Sequence, residues 1–514
     1  MIDSLPPILT NHRRTDVRTS ERTARLIQIG APLLASMVAL YIVRLMWRSE
    51  DIAPFIAWVL FFVAIGAAIY QPRYGVYVLV GATLAGDAYL TPWYPFFKGF
   101  SSPESIFFVN RALIFRPQEL YLMITLGSWF ARVIAGRQLL SIRVGKLFWP
   151  AITFTVLVVI SLFYGLSRGG DTTIALWEMR SITYVPIVIL LVTNLIRTRS
   201  QLNTLIWWML AGLLVDAAFG FYFTATTLQF AFGSVNEIAE HPLSVQFNAI
   251  FTLMIGVWLF RGSRNKRILL PLLVPLLIVP YLANNRRSAY ITLVVALAVL
   301  ALIMFWRNRR LFFAIVPAAA LLGAVYLGVF WNSSGGIAAP AAAIRSAIAP
   351  AEGSRDDSSN AYRYYENINT MFTIKTSPIT GIGFGNKFII IVNMADISSF
   401  EWWEYITHNS IMWIWMKAGL FGFLALLYLI GRSMALGSWL LLRTPPGELS
   451  AITLMALTYL VMHFVFAYVD ISWDAQSMMM VAAMMGVLNI MARLIAEAPP
   501  VPAARWPWQK AAQI

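Results

Sequence analysis

The sequence predicts an all-α, polytopic membrane protein with about 14 transmembrane helices, both termini cytoplasmic and one long periplasmic loop bearing short helices. Three observations carry that prediction. Of 514 residues, 59% are hydrophobic and only 12% charged, whereas a soluble domain has roughly 45–50% and about 25%. The apolar residues fall in runs of about 20, the length that crosses a bilayer as a helix. The basic residues gather in alternate connecting segments. A net charge of +15 and a pI near 10 would otherwise suggest a polyanion such as nucleic acid. With no cysteine, disulfides, thiolate metal sites and cysteine nucleophiles are excluded. Four histidines without a His/carboxylate cluster at ligand spacing argue against a metal enzyme, so no metal and no cofactor is expected.

In chain order, an N-terminal cytoplasmic arm covers residues 1–25. Its arginines lead straight into an apolar span, so it does not read as a cleavable signal. Spans are expected near 26–47, 53–70, 74–90, 118–136, 147–166, 174–196, 203–225, 241–260, 268–284, 288–306 and 311–331. The third is short and contains Asp87. An extracytoplasmic loop, 332–408, follows. Three more spans, near 409–431, 449–469 and 475–492, make up the membrane block 409–492, and 493–514 is a cytoplasmic tail. Arg13, Arg14, Arg18, Arg22, Arg25, Arg132, Arg143, Arg197, Arg264, Arg267, Arg307 and Arg443 all then fall on one side, as positive-inside topology requires. The basic excess is largely a topological signal, and nucleic acid is not needed to explain it.

The loop 332–408 begins with a small, Pro- and Gly-containing stretch. It continues with helical apolar spacing at Tyr364, Ile368, Met371 and Phe372, suited to lying along the membrane face. A second outer segment, 91–117, is aromatic-rich and holds Lys98, Arg111 and Arg116. No repeat relates the two halves of the chain, which weakens a transporter reading.

Three polar features converge on the outer face. Arg286 and Arg287 stand side by side in the short turn Asn284–Ser288, where they repel unless an anion is near. Guanidinium forks match phosphate oxygens, although snorkelling or pairing with a loop carboxylate would also account for them. Arg363 precedes Pro378 and the run Gly381-Ile382-Gly383-Phe384-Gly385. Such glycines can cradle phosphate where a strand feeds a helix; without that context they equally make a tight turn back to the membrane. Thr407-His408-Asn409-Ser410 opens the twelfth span. Histidine is suited to proton transfer near neutral pH, though interfacial histidines are often only polar tips. Asn409 is placed to cap the helix or orient His408, and the preceding Phe400–Tyr405 stretch offers stacking rings and the carboxylates Glu401 and Glu404.

Together these motifs resemble the O-antigen ligase and polysaccharide polymerase superfamily of bacterial integral-membrane glycosyltransferases. The residues are Arg287-Ser288-Ala289, then Arg363 with Pro378 through Gly385, then His408-Asn409-Ser410 with Gly419-Leu420-Phe421-Gly422. They span about 280–432. Arg286 stands where the family often has Ser or Thr, and the following Ser288 favours Arg287 as the family's arginine. Upstream, only the hydropathy layout, Arg180 and the Thr198–Leu202 turn fit.

The resemblance implies a GT-C-like, metal-independent transfer of a glycan from undecaprenyl pyrophosphate to an acceptor hydroxyl at the periplasmic face of the inner membrane. It makes His408, Arg287 and Arg363 the candidate catalytic residues, with His408 accepting the hydroxyl proton and arginines stabilising the leaving pyrophosphate. Arg286, Arg180, Asn409, Tyr364, Glu404 and His241 are candidate substrate contacts. Glu366, Glu401 and Glu404 compete less well for the base role. Arg180 lies inside the sixth span, where arginine costs about 2.5–3.5 kcal/mol; an interhelical ion pair explains it as readily as a phosphate. Span number favours a polymerase, whose acceptor is a second lipid-linked repeat unit, because ligases of the family usually have about 12 spans. The alternatives are an O-antigen ligase acting on lipid A core and a protein O-oligosaccharyltransferase. Non-enzymatic alternatives are a polysaccharide or lipid transporter and a scaffold for glycan assembly. Expected partners are the lipid-linked donor and acceptor, membrane lipids and a chain-length regulator.

Overall fold

The computed structural model describes residues 52–497, except 88, 91–98, 104, 112, 138–140, 233, 234, 236, 334, 398 and 399. Among them are sixteen α-helices and no strand. The expected first span, the N-terminal arm and most of the C-terminal tail lie outside the described residues.

Helices α1 (Ile52–Tyr70), α2 (Pro72–Leu84) and α3 (Pro117–Ala135) fall on the second to fourth expected spans, but none passes as a membrane crossing among the described residues. The 13 residues of α2 reach about 20 Å at 1.5 Å per residue, against a hydrocarbon core of about 30 Å. The third span therefore stops short of Asp87. In α3, Glu119 and Arg132 lie in the first and last turns and dilute its apolar character.

From there the expected spans appear as helices: α4 (Gly145–Ser167), α5 (Thr172–Leu195), α6 (Arg199–Thr226), α7 (His241–Leu259), α10 (Arg287–Arg307), α11 (Arg309–Phe330), α14 (Ser410–Arg443), α15 (Glu448–Val469) and α16 (Ala475–Ala496). These nine are long and apolar enough to cross a membrane. A tenth is added if the bent pair α8 (Arg264–Leu272) and α9 (Val274–Ala283), 44° apart, counts as one span. The bend follows from Pro275, which has no N–H to donate to the carbonyl of Pro271 across the break. Nine or ten of the thirteen expected spans that fall among the described residues therefore pass as crossings.

Helix α11 makes the solvent plain. It has no buried residue, and Phe313, Leu321, Leu322, Val325 and Val329 are all exposed. A helix apolar on every side without protein around it is stable in lipid, not in water. The chain is a multi-pass membrane protein.

The protein-buried centre is made by α5 against α16 and α4, and by α15 against α7, α14 and α10. Met478, Met479, Met480, Met484 and Met485 of α16 fill it, flexible side chains suited to irregular gaps. Helix ends are fixed locally. Thr198 and Gln201 form a reciprocal capping box at α6, which accounts for the Thr198–Leu202 turn. Asp171, Asn409 and Asp474 cap α5, α14 and α16.

Alternating helix directions bring the end of α4, the starts of α5, α7, α10, α14 and α16 and the end of α15 to one end of the bundle. The opposite end is basic. There Arg307 donates to the carbonyls of Leu441 (2.8 Å) and Thr444 (2.7 Å), and Arg493 to that of Ile196 (2.7 Å). These cations cover helix C-termini, where they are favoured.

Candidate functional site

Between α11 and α14 the chain forms α12 (Ala339–Ile348) and α13 (Arg355–Thr376). Helix α13 buries its polar face, with Tyr362, Glu366, Asn369, Thr370 and Thr373 inward. It exposes Tyr364, Met371 and Phe372. Asn369 then ties down the following loop, accepting from the N–H groups of Ile391 and Val392 (both 2.9 Å) and donating to the carbonyl of Val392 (2.8 Å).

The glycine run answers to a break in α14. Gly419 sits there at φ +66°, ψ −171°, and a Cβ on it would lie 2.1 Å from the carbonyl oxygen of Ile379. The loop segment 378–383 fills the gap and takes over the freed backbone groups. Ile382 N–H donates to Met416 (2.8 Å), Gly383 N–H to Lys417 (3.1 Å) and Leu420 N–H to Pro378 (3.0 Å). A Cβ on Gly383, at φ +80°, would meet Gly165 at 2.3 Å. These glycines permit close backbone contact, so the tight-turn alternative describes them and the phosphate cradle does not. Beneath the loop, fully buried Lys417 pairs with fully buried Glu178 at 2.8 Å. Glu178 also accepts from the N–H of Gly385 (2.7 Å), and Lys417 donates to the carbonyl of Asn386 (2.6 Å).

Above this floor opens a cavity of about 880 Å³, whose wall includes Arg116, Arg180, His241, His408, Asp470 and Trp473. His408 is held from behind by Glu366 of α13. Glu366 accepts from the His408 N–H (2.8 Å) and lies 3.1 Å from Nδ1 through both carboxylate oxygens. A carboxylate only accepts, so the proton of a neutral imidazole sits on Nδ1 and Nε2 keeps its lone pair. Tyr362 packs edge-on against the ring, 5.6 Å between centroids. Asn409 caps α14 by accepting from Met412 N–H (3.1 Å), which fixes the backbone next to His408.

Asp470, buried just after α15, is the hub of the adjoining wall. Both its oxygens lie 2.9 Å from His241 Nδ1, and Arg363 Nη2 is 3.7 Å away. Its backbone carbonyl accepts from the Ser410 hydroxyl (2.9 Å), tying the end of α15 to the start of α14. Burial would raise its carboxyl, but His241, Arg363 and His408 together hold it below the ordinary aspartate range. Next to it, Glu240 is pushed up to about 7 by burial, with Asp87 and Asp474 adding like charge.

Each arginine singled out in the sequence has a carboxylate partner. Arg286 pairs with Glu237, which also reaches His241 Nε2 at 3.2 Å. Burial lowers the Arg286 guanidinium to about 10. Arg287 turns the other way, to Asp356 (3.5 Å) and the carbonyl of Ser346 (3.1 Å). Arg180 lies 3.4 Å from Glu119 and donates to the carbonyl of Ile114 (3.1 Å). The adjacent arginines thus find protein carboxylates as their anions. Arg180, His241 and His408 line the cavity, and Arg363 reaches its wall through Asp470, with its Nε buried and lacking a hydrogen-bond partner among the described residues. Tyr364 is exposed on the far side of α13, and Glu404 is held by Lys387; neither lines the cavity.

Three cavity residues were not chosen from sequence. Arg116 stands at the start of α3, its backbone N–H donating to Glu119 (3.0 Å), and its guanidinium lies over Trp177, 5.0 Å from the ring centroid. Burial, with Arg180 close by, lowers its guanidinium. Asp470 and Asp474 share the short turn between α15 and α16.

Residues 272–427 match the family model described as O-Antigen ligase. The match runs from the bent α8–α9 pair into α14 and includes Arg286, Arg287, Arg363, Glu366, the glycine loop and His408. It supports the O-antigen ligase and polymerase superfamily as the family of this chain, and with it a glycosyltransferase-type enzyme. No curated protein matches the chain.

Proposed function

We propose that the protein is a polysaccharide polymerase. It transfers a glycan from undecaprenyl pyrophosphate to a hydroxyl of a second lipid-linked repeat unit. The observation that carries the glycosyl-transfer chemistry, common to polymerase and ligase, is the cavity in which His408, oriented by Glu366, faces the same space as Arg116 and Arg180. The acceptor hydroxyl attacks the anomeric carbon while His408 Nε2 takes its proton. The bond from that carbon to the phosphate oxygen breaks, and its electron pair leaves with the pyrophosphate. Arg180 and Arg116 stand where fixed cations offset that developing charge without reorganisation. Arg363 and His241, held by Asp470, shape the adjoining wall. Arg287, turned towards Asp356, serves this reading by fixing α10 to α13.

The positive-inside rule, applied to the basic end of the bundle, supports reading that end as cytoplasmic and the cavity as facing the periplasm from the bacterial inner membrane. A second reading is favoured by the description of the matching family: an O-antigen ligase, with the same chemistry and a lipid A core acceptor. Purified protein in nanodiscs, given lipid-linked repeat units, is expected to build a glycan ladder. Ladder formation only on adding lipid A core would replace the polymerase with the ligase, and no transfer to either acceptor would refute both.

A further inference from the structure

The cavity has a second wall that the chemistry above does not use. Trp177 of α5 stacks on Trp402 of the loop, with centroids 4.1 Å apart and planes at 30°. Phe400 meets Trp402 edge-on at 5.6 Å, and Arg116 covers the Trp177 ring. Tryptophans of an interfacial belt point to lipid, as the exposed Trp149, Trp258 and Trp306 do. Trp177 and Trp402 instead line the cavity, beside the hydroxyl-bearing Ser101, Ser102, Thr172 and Thr173. Flat rings flanked by hydroxyls suit a pyranose, which has a C–H-lined apolar face and a rim of hydroxyls.

The position narrows the ligand. Trp177 and Arg180 are three residues apart on α5 and share a helix face, so they stand about one turn, roughly 5 Å, apart along it. In a lipid-linked donor the first sugar is bonded directly to the phosphate. A phosphate held by Arg180 and Arg116 therefore sets that sugar beside the tryptophans.

We propose that Trp402, backed by Trp177, is the platform for the first pyranose of the pyrophosphate-linked glycan, and so a determinant of which donor is accepted. This rests on the glycosyltransferase reading. The test is equilibrium binding in nanodiscs of two radiolabelled lipids, undecaprenyl pyrophosphate and undecaprenyl-pyrophosphoryl N-acetylglucosamine. Trp402→Ala is expected to weaken the sugar-bearing lipid by about tenfold and the bare lipid by less than about twofold; Trp402→Phe, which keeps a flat ring, recovers most of the loss. The bare lipid doubles as a check that the variant is folded. Equal losses for both lipids, or none for either, would overturn the platform while leaving the glycosyltransferase reading intact. If wild-type protein binds neither lipid, the glycosyltransferase reading itself fails, and the platform with it.

Discussion

Glu366→Gln is the most informative single change, because it keeps the shape behind His408 and alters only what the imidazole leans on. Glu366 is almost fully buried and accepts from two His408 donors, the backbone N–H at 2.8 Å and Nδ1 at 3.1 Å. Glutamine brings one acceptor oxygen and an NH₂ group, so one His408 donor is left facing another donor with no water to replace it. Hydrogen bonds to charged groups contribute about 1.5–3 kcal/mol. If that is lost in holding Nε2 ready, the rate falls by roughly 10- to 150-fold. Glu366 lies behind the cavity wall rather than on it, so the donor KM is expected to stay within about twofold. The assay is the initial rate of glycan transfer in nanodiscs across donor concentrations, with bare undecaprenyl pyrophosphate binding as the check on folding. A folded variant with wild-type kcat would refute the assignment of Glu366 as the residue that positions His408.

Other changes address the scaffold around the site. Glu240 is raised by burial to about 7, so its contribution to stability is present at low pH and is lost as pH rises through that value. Melting of wild-type protein relative to Glu240→Gln should therefore fall between about pH 4.5 and 7 and then level off; a constant difference would contradict the raised value. Gly419→Ala puts a Cβ 2.1 Å from the Ile379 carbonyl at φ +66°, and a loss of more than about 2 kcal/mol is expected in denaturant titrations. Lys417→Met leaves Glu178 buried without its cation, at a cost of about 3–5 kcal/mol. Adding Glu178→Gln should restore part of it, and an undamaged single variant would show that the pair does not hold the loop.

Much of this was legible in the chain, and the gaps have a common cause. Span length and charge bias identified the helices from α4 onwards, because a bilayer imposes one period and one polarity rule on every crossing. Near the N-terminus they are less decisive, because α2 is short and α3 carries charge, so that neither passes as a crossing by length and apolar content. The His408-Asn409-Ser410 motif was readable because a helix start, its cap and the histidine are adjacent in sequence. Arg180 stood out as a cation inside an apolar run. Asp470 did not, since its partners His241 and Arg363 come from α7 and α13, distant in sequence. Glu366 was seen only as a rival base because its relation to His408 depends on how α13 lies against the start of α14. The glycine run was visible, but its meaning depended on Gly419, the break it fills.

The central claim is that His408 and the arginines around its cavity transfer a glycan with loss of undecaprenyl pyrophosphate. The direct measurement is simultaneous quantification of released undecaprenyl pyrophosphate and newly formed glycosidic bonds by purified wild-type and His408→Ala protein, given lipid-linked repeat units. The account predicts one lipid pyrophosphate released per bond formed in wild type, and a loss of both together, by about 10²-fold or more, in His408→Ala. Bond formation that persists at the wild-type rate in a folded His408→Ala protein would contradict it.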